Sequence, residues 1–168
     1  PNADYDKVTM VGHSMGGGEV ARYVARHGQK SVAKVAFVSS VTPFLLKTDD
    51  NPEGVEGGVF DGIKKAVAKD RYTFFTEFFK NFFNTDELLG KRVSDEVIRA
   101  SWNLAARASA TASLACVSTW YEDFRNDLSR MDVPTLVIHG DSDRLVPIEA
   151  SGQRTAKLIK GAKLSVIK

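Results

Sequence analysis

The chain has 168 residues, 23 Lys and Arg against 21 Asp and Glu, with 43% hydrophobic and 26% charged residues, the proportions of a globular domain rather than of a disordered or collagenous chain. A net charge of 23 − 21 = +2, with the charges interspersed, is too small for a nucleic-acid or membrane-surface binder despite a pI of 8.8. The single cysteine, Cys116, cannot close an intrachain disulfide, and no apolar run approaches the ~20 residues that cross a bilayer, so the expectation is one core in the cytoplasm.

The opening PNADYDK has no Met and no apolar signal core, and reads as if an earlier portion of a longer chain were missing. Lys7 to Val11 is a short β-branched run ending at Gly12, which suits a strand buried on both faces of a parallel sheet. A helix should start at Ser14, with Val20, Tyr23 and Val24 at helical spacing and Gly28 as its stop. Val32 to Val38 is a second buried-strand run, so strand, helix and strand follow within the length of a βαβ unit. Pro43, Pro52, Gly54, Gly57 and Gly58 then mark a loop. Beyond it Val59, Phe60, Ile63 and Val67 recur on one helical face, and Tyr72 to Phe83 adds six phenylalanines. Ser94 reads as an N-cap, with Asp95 and Glu96 in the favourable first turn. Strand character returns at Val133 to His139, followed by the loop GDSDRLVP, a helix near Ile148 to Ile159 and a last strand at Leu164 to Ile167. The expected architecture is α/β: a mostly parallel sheet flanked by helices, formed by residues 1–47 and 131–168, with a helical cap inserted at 48–130.

Gly12-His13-Ser14-Met15-Gly16 fits the nucleophile-elbow pattern G-x-S-x-G, in the strand-turn-helix setting that pattern needs. The turn should strain Ser14 and lift its hydroxyl above the sheet, and side chains at Gly12 and Gly16 should collide with their neighbours. Gly17 and Gly18 extend the tolerance for close packing. The Met15 amide, at the positive end of the helix, is half of an oxyanion hole. The alternative is a glycine-rich turn that only packs or cradles a phosphate, but neither G-x-G-x-x-G nor a Lys after the glycines is present. A serine hydrolase also needs a carboxylate after a late strand. Asp141 and Asp143 both qualify, and both also suit an Asx turn. The pattern then lacks its base, because the three histidines are His13, His27 and His139. His13 lies inside the elbow with its side chain directed away, His27 sits near a helix C-terminus, and His139 reads as a satisfied structural histidine. None follows the acid. Neither Cys116 nor the scattered histidines have metal-ligand spacing.

The stretches VGHSMGGGEVARYVARHG, VSSVTPF and PTLVIHGDSDRLVPIEASG, with KLIKGAKL, resemble the cofactor-free haloperoxidase and arylesterase branch of the α/β-hydrolase superfamily, the non-haem chloroperoxidases, over essentially the whole chain. The elbow is shared across the superfamily, whereas SMGGGEVARY together with G-D-x-D-x-x-V-P is more specific. The resemblance implies that Ser14 is the nucleophile, Met15 the oxyanion donor and Asp143 the triad acid, leaving Asp141 structural. It implies hydrolysis of carboxylic esters through an acyl-serine, with hydrogen peroxide able to replace water and form a peracid. It also places the catalytic histidine after Lys168, and the early strands with the second oxyanion donor before Pro1. Of the aromatic residues Phe74, Phe78 and Trp102 are the expected lining of an apolar acyl or aryl pocket, most of the others being core. The competing reading is a non-catalytic α/β domain with a vestigial elbow, acting by association with itself or with the absent portion through open strand edges.

Overall fold

The computed structural model of the chain describes residues 7–28 and 30–168, so the reading of residues 1–6 lies outside what it describes. The described chain forms two compact units. One joins the chain up to Val55 with Trp120–Lys168, and the other is Glu56–Thr119. Residues 48–55 and 120–130, expected in the helical insertion, thus belong to the α/β unit.

The α/β unit is built on four strands, β1 (Val8–His13), β2 (Val32–Val38), β3 (Thr135–Gly140) and β4 (Lys163–Ile167). They lie in the order β1-β2-β3-β4 and every pair is parallel. Helix α1 (Met15–His27) connects β1 to β2 and ends at Gly28, whose φ of 80° a side chain would resist. Arg22 of α1 holds the short helix α6 (Arg125–Ser129) through Asp127 at 2.8 Å, and its guanidinium lies 4.9 Å from the Phe124 ring centroid. The expected helix near Ile148 to Ile159 is shorter, α7 (Gly152–Leu158). Ile148 and Ser151 instead form a turn, in which the Ser151 hydroxyl donates to Pro147 O at 2.6 Å.

The strands are not all buried on both faces. The Gly17 position abuts Phe37 and Gly152 abuts His139, so α1 and α7 cover the face that carries Phe37, Val137 and His139. The opposite face is open at Val11 and Leu136, which are 63% and 38% exposed, and β4 is exposed along its whole length. The apolar runs at Lys7–Val11 and Leu164–Ile167 fall on β1 and β4, the outer two of the four described strands, and hydrophobicity alone does not show which faces are covered.

The second unit is helical: α2 (Gly57–Phe82), α3 (Thr85–Leu88), α4 (Asp95–Ala106) and α5 (Ala110–Thr119). Asp70 has extended backbone inside α2, so α2 is two helices in succession, and its carboxylate caps the second one by accepting from the amides of Tyr72 and Thr73 at 3.0 and 3.1 Å. Ser94 caps α4 as expected, accepting from the Val97 amide at 3.3 Å. The phenylalanine run is an i, i+3/i+4 stack in which Phe75 and Phe79 are buried and Phe82 is exposed. Val59, expected on the apolar face with Phe60 and Val67, is 50% exposed. No helix among the described residues is long and apolar enough to cross a membrane.

Candidate active site

Ser14 stands between β1 and α1 with φ 51° and ψ −124°, outside the regions a side chain prefers. Three backbone hydrogen bonds hold it there. Its amide donates to Val38 O at 3.0 Å, and its carbonyl accepts from the amides of Gly17 at 3.0 Å and Val41 at 3.2 Å. The turn is thus tied both to its own helix and to the loop after β2. Met15 is the first residue of α1, where amides lack an i−4 partner within the helix and the dipole favours negative charge.

The close packing of this turn falls on Gly12, Gly17 and Gly18, as expected, but not on Gly16. A Cβ at Gly12 would meet the Gly17 Cα at 2.6 Å, one at Gly17 would strike the Ser40 side chain, and one at Gly18 would enter the Phe124 ring. Gly16, expected to be crowded, has open space around it. The reason is helical rotation: the second and third residues after the serine's neighbour turn inward, while Gly16 faces outward. Gly12→Ala should therefore cost about 1–3 kcal/mol in urea unfolding, because the clash is with backbone that cannot rotate away. Gly16→Ala, on an open helical position, should leave stability unchanged or slightly raised.

The loop after β3 separates the two aspartates. Asp141 is exposed; its amide extends the ladder to Ile167 O at 3.0 Å, and its carboxylate accepts from the Ser142 hydroxyl at 3.0 Å. Asp143 has a side chain only 16% exposed, and its Oδ1 accepts from the amides of Leu145 and Val146 at 3.0 and 2.9 Å. Burial pushes its carboxyl pKa up, but the His139 ring nitrogen 3.5 Å away and hydrogen bonds from these two amides and from Ser39 outweigh burial and hold it below the usual 3.8. Asp143 is thus an oriented, charged carboxylate at neutral pH.

Strand register brings these pieces to one edge. His13 pairs with Val38 and Val38 with Ile138, so β1, β2 and β3 end side by side, and the loops that follow carry Ser14, Ser39 and Asp143. The β2 loop links the other two: Val41 binds the Ser14 carbonyl, and Ser39, itself at φ 42°, bonds the Asp143 carboxylate. Sequence reasoning did not single out Ser39. Its only signal is its place in the SS pair that ends β2, at the edge where functional residues of such sheets collect.

His13 is exposed, and His27 packs its ring on Tyr23 with centroids 4.9 Å apart. His139 is buried, but it is only half satisfied: Nε2 lies 2.8 Å from Val146 O, whereas Nδ1 has no partner. The Gly152 backbone packs directly against that side of the ring, where a Cβ would come within 2.6 Å of Nδ1.

In the helical unit, Trp102 donates from Nε1 to Tyr72 O at 3.3 Å and Thr76 Oγ1 at 3.2 Å, and lines an open groove of about 600 Å³ with Thr76, Lys80, Ile98 and Arg99. Phe74 and Phe78 are half-buried and pack on each other at 5.8 Å, outside the lining of that groove. Among the described residues no three His, Cys, Asp or Glu side chains cluster as metal ligands.

A strained serine turn thus opens a helix, and a largely enclosed carboxylate stands two strands away at the same edge of a parallel sheet. The family profile of the α/β hydrolase fold matches residues 3–168, and the chain belongs to that family. Its relatives include a Synechocystis sp. protein named provisionally as a non-heme chloroperoxidase, 54% identical over 98% of this chain and 59% of that protein. They also include a non-heme chloroperoxidase of Kitasatospora aureofaciens, 40% identical over 97% and 59% of the two chains, and a bifunctional esterase/perhydrolase of Acinetobacter calcoaceticus, 37% identical over 92% and 56%. The crystal structure of a bromoperoxidase from Bacillus anthracis superposes with a TM-score of 0.91 at 42% identity, covering 98% of this chain and 60% of that one. The chain spans about 59% of the length of the first two relatives.

Proposed function

We propose that the complete protein is a serine hydrolase of carboxylic, chiefly aryl, esters, with Ser14 as nucleophile, the Met15 amide as one oxyanion donor and Asp143 as the carboxylate that orients the catalytic base. The observation that carries this reading is the positive φ of Ser14, 51°, held by three backbone hydrogen bonds at the head of α1. Strain of this kind persists only where the surrounding structure enforces it. A turn that merely packed would need no side chain there, and glycine would adopt the same backbone without cost.

In the proposed reaction the Ser14 oxygen attacks the ester carbonyl, its proton passes to the base, and the carbonyl electrons move onto an oxyanion beside the Met15 amide. Collapse expels the alcohol, which takes the proton from the base, and leaves an acyl-serine. Water then attacks the acyl carbon to release a carboxylic acid. Hydrogen peroxide in place of water releases a peracid, and this second branch draws support from the perhydrolase and haloperoxidase names among the relatives. Asp143 stays ionised throughout, stabilising the protonated base. Phe74, Phe78 and Trp102 are the proposed apolar contacts for the acyl or aryl group. The helical unit 56–119 is proposed as a cap, and the proposed location of the protein is the cytoplasm.

The test is covalent labelling of the complete protein with a fluorophosphonate, followed by peptide mass spectrometry. The adduct is expected on Ser14 alone and should vanish in Ser14→Ala. A folded, full-length protein that takes no label at Ser14 would favour the alternative of a non-catalytic domain acting by association.

A further inference from the structure

The geometry points to His139 as the positioning residue that aims the Asp143 carboxylate, an inference that rests on Asp143 being the triad acid. His139 is the penultimate residue of β3, four residues before Asp143, and its side chain is wholly buried. Its Nε2 lies 2.8 Å from Val146 O and 3.5 Å from Asp143 Oδ2. With a carbonyl as the nearer partner, Nε2 must carry the hydrogen, and it donates to Val146 O. Nδ1 has no acceptor and faces Gly152, so a hydrogen there would be buried unpaired.

One N–H thereby acts twice on the carboxylate. Val146 is the residue whose amide donates to Asp143 Oδ1 at 2.9 Å, so holding the Val146 carbonyl anchors, one peptide further along, the residue whose N–H grips the acid. The same N–H dipole presents its positive end toward Oδ2, and in a buried setting that attraction is little screened. Gly152 completes the device. With no side chain, it lets α7 press on the Nδ1 edge and hold the ring in the plane that serves both contacts. A histidine that only filled core volume would need neither this orientation nor the glycine.

The experiment uses the full-length protein and p-nitrophenyl acetate, comparing His139→Phe, His139→Gln, Asp143→Asn and the His139→Phe/Asp143→Asn pair, with Ser14→Ala as the reference for the underlying reading. Phenylalanine keeps the ring and removes the N–H; glutamine restores an N–H at nearly the same reach. His139→Phe is expected to lower kcat about tenfold or more, the worth of one hydrogen bond bearing on a charged group, with KM within about twofold. His139→Gln should recover most of that loss. In the Asp143→Asn background His139→Phe should add little further, since the carboxylate it serves is gone. Full activity of His139→Phe, failure of glutamine to recover it, or an equal loss in the Asp143→Asn background would each overturn the assignment. If His139→Phe does not fold, Gly152→Ala, which drives a methyl against Nδ1, is read instead: a folded protein with reduced kcat supports the role, and one with unchanged kcat overturns it. Activity that survives Ser14→Ala would overturn the hydrolase reading itself, a result separate from any of these.

Discussion

Ser14→Ala in the complete protein is expected to cut turnover of p-nitrophenyl acetate by about 10⁴-fold or more while leaving the fold intact. The two halves of this expectation have separate causes. Turnover falls because the proposed acyl-enzyme cannot form without the hydroxyl, and what remains is binding and oxyanion stabilisation alone. The fold survives because the contacts that hold the turn are all made by backbone: the Ser14 amide to Val38 O, and the Ser14 carbonyl to the amides of Gly17 and Val41. Alanine carries a Cβ just as serine does, so the cost of φ 51° is already present in the native protein and does not grow. Peracid formation should be lost with ester hydrolysis, since both proceed through the same acyl-serine. A Ser14→Ala protein with an unchanged Tm and most of its esterase activity would remove Ser14 from the mechanism.

How much of this site was legible in the sequence depends on how far each feature reaches along the chain. The elbow and its flanking elements are local: five residues, a β-branched run before them and a helical period after them. The parallel sheet follows almost as directly, since two strands joined by one helix have few other ways to pair. The assignment of crowding among Gly12, Gly16, Gly17 and Gly18 is different. Which glycine must lack a side chain depends on Ser40, Phe124 and the backbone of Gly17, partners that only the folded chain brings close. The same holds for Val11, whose exposure reflects which face of the sheet the helices cover. It holds again for His139, whose unpaired Nδ1 is set by Gly152, thirteen residues later. Ser39 shows a third case: nothing distinguishes it in sequence from Ser40, yet one bonds the Asp143 carboxylate and the other joins a buried hydroxyl chain with Thr42 and Thr155.

Between the two aspartates of the GDSD loop, Asp143→Asn should lower kcat of the complete protein by several orders of magnitude, and Asp141→Asn should change it little. The loop residues by themselves leave the two open, the family resemblance implies Asp143, and the geometry supports that choice. Asp143 is largely enclosed, receives two amide hydrogen bonds on one oxygen, and is contacted by His139 and Ser39. Asp141 is exposed, and what it contributes to the sheet is its amide, which bonds Ile167 O and is unaffected by changing the carboxylate. Asparagine at position 143 keeps an oxygen for the Leu145 and Val146 amides, so the loop should hold its shape and the loss should appear in catalysis rather than folding. The cause of the loss is electrostatic. A neutral amide neither stabilises a protonated base nor fixes its tautomer, and in comparable triads that exchange costs about 10⁴-fold. At position 141 the substitution disturbs only the contact with the Ser142 hydroxyl at 3.0 Å, a surface interaction whose loss should move Tm slightly and kcat not at all. The measurement is kcat and KM for both variants with circular dichroism melts alongside. A large kcat loss in Asp141→Asn with an active Asp143→Asn would move the acid two residues earlier and would withdraw the role argued for His139 with it.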